Sequence, residues 1–377
     1  MTTVRRVLPT ATATEPAAAL LRGYVDAHNE ISLHTWGDDD YVRTPQEVHG
    51  ATRDDAYEKV VRLVALDDDA PDEPEPDAVH GLGIVVLPMQ DNTAWAYVGA
   101  EVRPGRRGRG VGTALYGAAL EIARAHGRTT LMAETDHAAE PAPGAASLAA
   151  PTGSGRVPAD DAGARFLTAR GWQLEQVARR SIVRLPLDAD EVERARAESA
   201  AIAGPEYRTV GWEGPVPPRW RAGMAALFTV MSDGVPLAGL EYEQERWDDE
   251  RVRLRDDEHA RRGIVDWTTA VEHVPSGTLV GYTVLQAIPP AVHYVHQEDT
   301  LVVPGHRGRR LGMLLKATNL QRLAAARPQT RRVGTWNAEE NDHMLAINIA
   351  LGFRPAGCSG EWQLRLGDAA PGDVARP

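Results

Sequence analysis

The sequence predicts an α/β protein made of two copies of one unit, and three observations carry that expectation. The chain has 377 residues, which suits two domains of roughly 100–200 residues better than one. A glycine-rich block recurs: residues 102–112 read VRPGRRGRGVG and residues 302–312 read VVPGHRGRRLG. Around each block the same order of patterns returns, with a β-like run before it and a helical period after it.

In the first copy the strand is AWAYVGAEV (94–102), the helix TALYGAALEIARAHG (113–127) and the next strand TTLMAETD (129–136). In the second they are AVHYVHQEDTLVV (291–303), MLLKATNLQRLAAAR (313–327) and RVGTWNA (332–338). Each copy then has a helix stopped by glycine plus an aromatic, Gly171-Trp172 and Gly352-Phe353. Upstream of each block a hairpin is expected, turning at 90–93 in the first copy and at Pro275-Ser276-Gly277-Thr278 in the second. The segment 188–205 is charged and helical in pattern, ending at Gly204-Pro205, so the expected division is 1–187, a connector 188–205, and 206–377. The acidic, proline-rich 66–77 and the Ala/Pro/Gly-rich 138–158 are expected to be mobile surface.

Composition narrows the function. A net charge of −12 argues against nucleic acid as the main partner. No apolar run approaches the roughly 20 residues that span a bilayer, and the N-terminal stretch lacks a signal-like apolar core. Cys358 is the single cysteine, which fits a reducing cytoplasm and leaves no disulfide framework. It has no patterned His or Asp that would make it a nucleophile. His293 and His296 fall on opposite faces of a strand with no cysteine cluster nearby, so no metal site is expected. The negative charge is compatible with a cationic or amine substrate but specifies none by itself, and a monomer or homodimer is the expected assembly.

A strand that runs into glycines and then a long helix has a direct chemical use. The glycines allow a tight bend that gathers amide hydrogens, and the helix start adds unpaired donors with a partial positive charge, which together cradle a diphosphate. The nucleotide-binding P-loop pattern fails for want of Lys-Ser/Thr after the glycines. The dinucleotide spacing fails too, because Gly108, Gly110 and Gly112 run G-x-G-x-G.

Arg107-x-x-Gly110-x-Gly112 resembles the Arg/Gln-x-x-Gly-x-Gly/Ala signature of the GNAT acyltransferase superfamily, and NDHMLAINIALGF (341–353) resembles that family's Asn-containing last helix. In layout the chain resembles tandem members such as mycothiol synthase. The resemblance implies two GNAT-like domains, each a mixed, mainly antiparallel sheet that splays beside the phosphate loop and is flanked by helices. It implies acetyl-CoA or another acyl-CoA as donor. In the second copy the implied donor-binding residues are Leu301, Val302, Val303, Arg307, Gly308, Arg309, Arg310, Leu311 and Gly312, joined by Asn337 and Asn341. In the first copy they are Val102, Arg107, Gly108, Arg109, Gly110, Val111, Gly112 and Thr113.

The copies depart from the pattern differently. Arg310 stands where Gly110 stands, which keeps a backbone donor but requires a milder φ. Counting back from Gly171, Asp160 takes the place of Asn341, and an ionised carboxylate cannot donate to an amide carbonyl. The family's usual general acid, a Tyr, is replaced by Asn348 and Leu167, leaving Tyr282 and Tyr294 as reachable phenols. Glu298 and Asp299, on the strand before the second loop, are the base candidates. At most one faces the cleft, because neighbouring strand residues point to opposite faces. The resemblance thus implies an acyl-CoA-dependent N-acyltransferase acting on a primary amine of a small molecule, with the reaction expected in the second copy and Glu101 the nearby carboxylate in the first. A non-catalytic acyl-CoA-binding scaffold and a protein lysine or N-terminal acetyltransferase stay open.

Overall fold

A computed structural model describes residues 2–51, 54–234 and 236–367; Met1 and residues 368–377, the outer ends of the two expected domains, lie outside the described residues. The chain begins with β1 (Thr2–Val7), α1 (Ala19–Trp36), α2 (Pro45–Gly50), β2 (Glu58–Asp67), β3 (Gly81–Pro88) and β4 (Trp95–Val102). It goes on through α3 (Val111–Ala125), β5 (Thr130–His137), β6 (Ser147–Ala149), β7 (Arg156–Pro158), α4 (Ala162–Thr168) and β8 (Gln173–Arg184). Then follow α5 (Ala189–Ala203), β9 (Tyr207–Glu213), α6 (Pro218–Gly234), α7 (Asp249–Arg262), β10 (Val265–His273), β11 (Thr278–Ala287) and β12 (Tyr294–Val302). The last elements are α8 (Leu311–Ala326), β13 (Arg332–Ala338), α9 (Asp342–Ala350) and β14 (Arg354–Arg365).

Two compact units result. The first draws its described residues from Met1–Ala178, Leu237–Tyr242 and Gly357–Pro377, and the second from Arg179–Pro236 and Glu243–Ala356. The first unit therefore includes a segment from beyond the connector and most of the final strand, so no single cut in the sequence separates the units.

The first unit's sheet has the order β1-β2-β3-β4-β5-β14, and the second's runs β13-β12-β11-β10-β9. Neighbours are antiparallel except β4 with β5 and β12 with β13. Those two pairs are parallel because each is joined by a crossover helix, α3 or α8, and a parallel pair needs such a connection. In α3 the apolar positions Val111, Leu115, Ala119, Ile122 and Ala123 are buried, the i, i+4, i+8 stripe that seats a helix on a sheet. In the second unit Leu285, Val295, Ala317, Leu323 and Val333 form the matching core, none above 0 % exposed.

A further repeat lies in the hairpins. Gly81 and Gly281 pair across from Val102 and Val302. A Cβ at either would come within 2.5 Å of Glu101 O or 2.6 Å of Leu301 O, so a bare backbone is needed where the strand before each phosphate loop passes its neighbour. The connector folds as α5, capped by Asp188, whose carboxylate accepts from the amides of Asp190 and Glu191, and closed by Gly204 at φ +81°.

The expectation of a mobile surface at 138–158 is corrected. β6 and β7 pair there, and Ala150 and Val157 are buried in the first unit's core. Two small apolar side chains reach that core, a local detail that overall composition does not reveal. The acidic stretch is likewise held, with Arg5 donating to Pro71 O at 2.7 Å and Arg103 to Pro76 O at 3.1 Å.

The last strand belongs structurally to the first unit. β14 runs antiparallel to β5 from Cys358 opposite His137 to Arg365 opposite Thr130. Trp362 is 1 % exposed, and its indole N–H donates to Thr135 Oγ1 at 2.9 Å. Trp362→Ala is expected to destabilise the first unit by about 3–5 kcal/mol while leaving the second unit's protection intact. Hydrogen exchange resolved by segment checks this, and loss of protection confined to the second unit would contradict it.

Candidate active site

In the first unit a 3-10 turn over Pro104–Arg106 ends β4. Gly108 and Gly110 then adopt φ of +72° and +83°, and α3 starts at Val111. The first bond inside the helix is from Ala114 N–H to Gly110 O at 3.0 Å. The amides of Val111, Gly112 and Thr113 consequently have no partner within the helix, and no side chain caps them. Such donors at the positive end of a helix suit a diphosphate.

The second unit repeats this bend. A 3-10 turn covers Pro304–His306, Gly308 has φ +80°, and Leu314 N–H bonds Arg310 O at 3.0 Å. Arg310 holds the left-handed bend at φ +55°, the smaller angle that an L-residue tolerates, with no side-chain cap on α8. Its guanidinium lies 3.7 Å from Glu198.

Arg107 and Arg307 act alike. Their Nε atoms donate to Val102 O at 3.2 Å and Val302 O at 2.9 Å, pinning each exposed guanidinium at the end of its strand. Arg309 donates weakly to Gly305 O and Arg307 O, both at 3.4 Å, whereas Arg109 is exposed. Val111, Leu301 and Leu311 are buried core residues, so only their backbones are available to a ligand. Gly112 and Gly312 keep the helix start bare: a Cβ would lie 3.4 Å from Val102 or 3.1 Å from Ile347.

Both sheets open just before these loops. β4 follows β5 only over Trp95–Tyr97, and β12 follows β13 only over Tyr294–Gln297. Beyond those residues each strand stays with its hairpin partner, reaching Val102 and Val302. Val98–Val102 and Glu298–Val302 thus leave their parallel neighbours and line a wedge. Val303 lies just past that wedge and donates its amide to Val280 O at 3.0 Å.

In the first unit the wedge belongs to a cavity of about 1010 Å³. Its wall includes Arg107, Gly108, Gly110, Gly112 and Thr113 from the loop region, Phe166 from α4, and Glu101, Glu134 and Asp136 from the two diverging strands. On the side of α1 and β2 it includes Tyr24, His28, Arg43 and Arg62. Arg170 stacks on Phe166 with its guanidinium carbon 3.5 Å from the ring centre and donates to Thr113 Oγ1 at 3.2 Å, tying α4 to the start of α3.

The carboxylates are unusually crowded. Glu134 is directly opposite Glu361 in the β5–β14 register, and Asp136 is two residues along the same face. Glu101 keeps accessible surface on the cavity wall, yet protein encloses it. Burial pushes its carboxyl up to about 7, Asp136 adds to the shift, and Arg43 and Arg107 pull it back. Burial and the neighbouring charges also raise Glu134 and Glu361, and push the Tyr97 phenol well above its usual range.

In the second unit Glu298 and Asp299 are adjacent and accessible on β12. Buried Tyr282 donates its hydroxyl to Asp299 Oδ2 at 2.9 Å. Burial raises the Asp299 carboxyl despite that bond and the charge of Arg255. Burial, with Asp299 adding, lifts Glu298 to about 7. Asn341 caps α9 by accepting from Met344 N–H at 3.3 Å, which leaves its amide nitrogen as the donor for any ligand. Asn337 Oδ1 accepts from buried Asn348 Nδ2 at 2.7 Å.

One positional equivalence changes. The residue capping α4 is Asp161, which accepts from the amides of Gly163 and Ala164. Asp161 rather than Asp160 is therefore the counterpart of Asn341. The reason is spacing: the cap precedes the closing glycine by 10 positions in the first copy, 161 to 171, and by 11 in the second, 341 to 352, so counting back from the glycine misplaces the start by one. Asp160 and Asp161 both line the cavity.

Sequence reasoning missed Glu134, Asp136, Glu361, Arg43 and Arg62. The Glu134-x-Asp136 alternation was a readable sign of two carboxylates on one strand face. Glu361 carried no such sign, since its partner lies more than two hundred positions away.

Residues 25–146 match the model of the acetyltransferase (GNAT) family, a span containing the first loop, Glu101, Glu134 and Asp136. Among solved structures, a tandem GNAT protein from the clavulanic acid biosynthesis pathway is similar over 98% of this chain and 100% of its own, with TM-score 0.71 and 24% identity. A GCN5-related N-acetyltransferase from Sphaerobacter thermophilus is similar over 97% of this chain and 96% of its own, with TM-score 0.55 and 14% identity. No curated protein matches in sequence. At these identities the likeness speaks for the fold, and the family match speaks for the first unit. Residues 25–146 therefore match the acetyltransferase (GNAT) family, and along nearly its whole length the chain has the fold of a tandem GNAT protein.

Proposed function

We propose that the protein transfers an acyl group from acyl-CoA, acetyl-CoA in the simplest case, to a primary amine of a small molecule, with the chemistry in the first unit's cavity. What carries this reading is that one cavity holds both the bend with its uncapped helix start and a carboxylate poised near neutrality, Glu101. The fit to the donor rests on the unpaired amides of Val111, Gly112 and Thr113, which match a diphosphate. The acyl donor supplies an already activated carbonyl, so the protein has to align an amine and manage one proton.

Glu101 lies on the stretch of β4 that leaves β5, where a backbone edge is open to a ligand. A carboxylate titrating near 7 takes a proton from an attacking amine at neutral pH. It is also acidic enough to pass that proton on to a departing thiolate, whose ordinary pKa is about 8.5. No dedicated phenolic acid is then required, which fits α4, where neither Leu167 nor Thr168 supplies a phenol. A second reading keeps the chemistry in the second unit, and the Tyr282–Asp299 hydrogen bond favours it, since that pair couples a base candidate to a phenol.

Glu101→Gln is expected to lower kcat by roughly 10²-fold or more, the usual scale for a general base. It should also remove a pH dependence in which activity rises through about pH 7 as the carboxylate loses its proton. Thiol release followed from pH 5.5 to 9 tests this. If Glu101→Gln keeps the wild-type profile while Asp299→Asn loses activity, the second unit does the chemistry.

Arg107→Ala is expected to raise the KM for acetyl-CoA about tenfold with little change in kcat, because diphosphate binding is uniform between ground and transition states. Calorimetry on Arg107→Ala and Arg307→Ala then counts the occupied loops. Wild-type protein that binds acetyl-CoA yet releases no thiol on any amine panel would be the scaffold alternative.

A further inference from the structure

We propose that the acceptor amine also carries an anionic oxygen group, so that the substrate is zwitterionic and spans the first unit's cavity from the carboxylates to Arg43. The inference rests on the acyl-transfer reading of this cavity and extends it to substrate class. The donor side is defined by the glycine bend. The rest of the cavity has to accommodate the acceptor, and its charges are of both signs.

Three carboxylates, Glu101, Glu134 and Asp136, line the wedge between β4 and β5. Alone they would suit any ammonium ion, including a diamine. The wall facing α1 and β2 differs. Arg43 and Arg62 line it around Tyr24, which is hydrogen-bonded to Arg62 and acted on electrostatically by Arg43 and Glu101. The two guanidinium groups and the base candidate therefore act on one phenol.

His28 adds no charge there: burial, with Arg43 assisting, pushes it down to about 4. Arg62 is 8 % exposed and anchored through Ala51 O at 3.2 Å. Arg43 is the accessible one of the pair, its side chain 38% exposed, and it approaches Glu47 only at 3.6 Å. That contact is longer than a charge-assisted hydrogen bond, which leaves the planar fork able to take up a carboxylate or phosphonate.

Ser32, on α1 in the same wall, supplies an independent sign. It is 6 % exposed, and its hydroxyl has no hydrogen-bond partner. A buried hydroxyl left unsatisfied is costly, and an acceptor oxygen beside α1 would satisfy it. The aromatic pair Trp36 and Tyr41, with ring centres 5.6 Å apart, also lines the cavity.

A dication is disfavoured by this arrangement. Its far ammonium group would meet two guanidinium groups, whereas a carboxylate would find donors there. Specificity then arises from repulsion as much as attraction.

The test uses the full-length protein with acetyl-CoA and reads thiol release on three matched acceptors: an ω-amino carboxylic acid, the corresponding aminoalkyl phosphonate, and the same amine lacking the acid group. Wild-type protein is expected to prefer an anionic acceptor over the unsubstituted amine by about 10- to 100-fold in kcat/KM, the scale of a hydrogen bond to a charged group. The better of the two anionic acceptors identifies the oxyacid. Arg43→Gln should shrink that preference at least about tenfold, Arg43→Lys should restore part of it, and Ser32→Ala should reduce it less. Acetyl-CoA binding by calorimetry and the melting curve report whether each variant is folded with its donor site intact.

Acyl transfer with no preference for the anionic acceptors, or a preference that survives Arg43→Gln, overturns the inference and leaves the acyltransferase reading standing. Failure of all three acceptors together with unimpaired acetyl-CoA binding by Arg107→Ala overturns both.

Discussion

The site depends on a strand that leaves its neighbour. β4 keeps parallel register with β5 for three residues and then continues with β3 alone, and β12 does the same beside β13. The divergence has a steric basis in the hairpin, where Gly81 and Gly281 let the outgoing strand pass within van der Waals range of a backbone with no Cβ. Without the gap there would be no exposed strand edge, and no cleft leading from the glycine bend to the carboxylates. The bend follows at once, so the position of the helix start is fixed by the strand that feeds it.

Charge placement in the first unit works against stability. Glu134 and Glu361 face each other across a strand pair, with Asp136 and Glu101 close by, and like charges opposite one another on a sheet are unfavourable. Burial and mutual repulsion lift Glu101 and Glu134 to about 7 and raise Glu361 as well. Crowding of this kind is characteristic of functional sites, where a perturbed pKa is the working property. Structural ion pairs in the same unit are better satisfied: Arg103 reaches Asp26, Glu30 and the carbonyl of Val79, fastening α1 to the end of β4.

The two units share a backbone design and differ in side chains. Both have the 3-10 turn, the left-handed bend and the uncapped helix start. The first retains two glycines at the bend and lines its wedge with carboxylates from two strands, β4 and β5. The second replaces a glycine by Arg310, pairs Asp299 with Tyr282, and joins Asn348 to Asn337. Duplication thus preserved what the backbone requires and let the chemistry of the two clefts diverge.

The duplication, the hairpins, the helix stops and both glycine bends were legible because each is a local pattern. Glycine spacing, helical period and turn residues act within a few positions along the chain. That Glu298 and Asp299 lie on the strand before a loop was legible in the same way. What escaped was everything assembled across distance: β14 completing the first unit's sheet, Glu361 against Glu134, Arg43 and Arg62 around Tyr24, and the packing of the segment at 138–158. The start of α4 was misjudged because the spacing from cap to closing glycine was assumed equal in the two copies. By itself the sequence determined the repeated fold and the uncapped helix start after each glycine bend, since backbone conformation is set by neighbouring residues. Only the tertiary structure decided which charges share a cavity, because that depends on pairings between strands hundreds of residues apart.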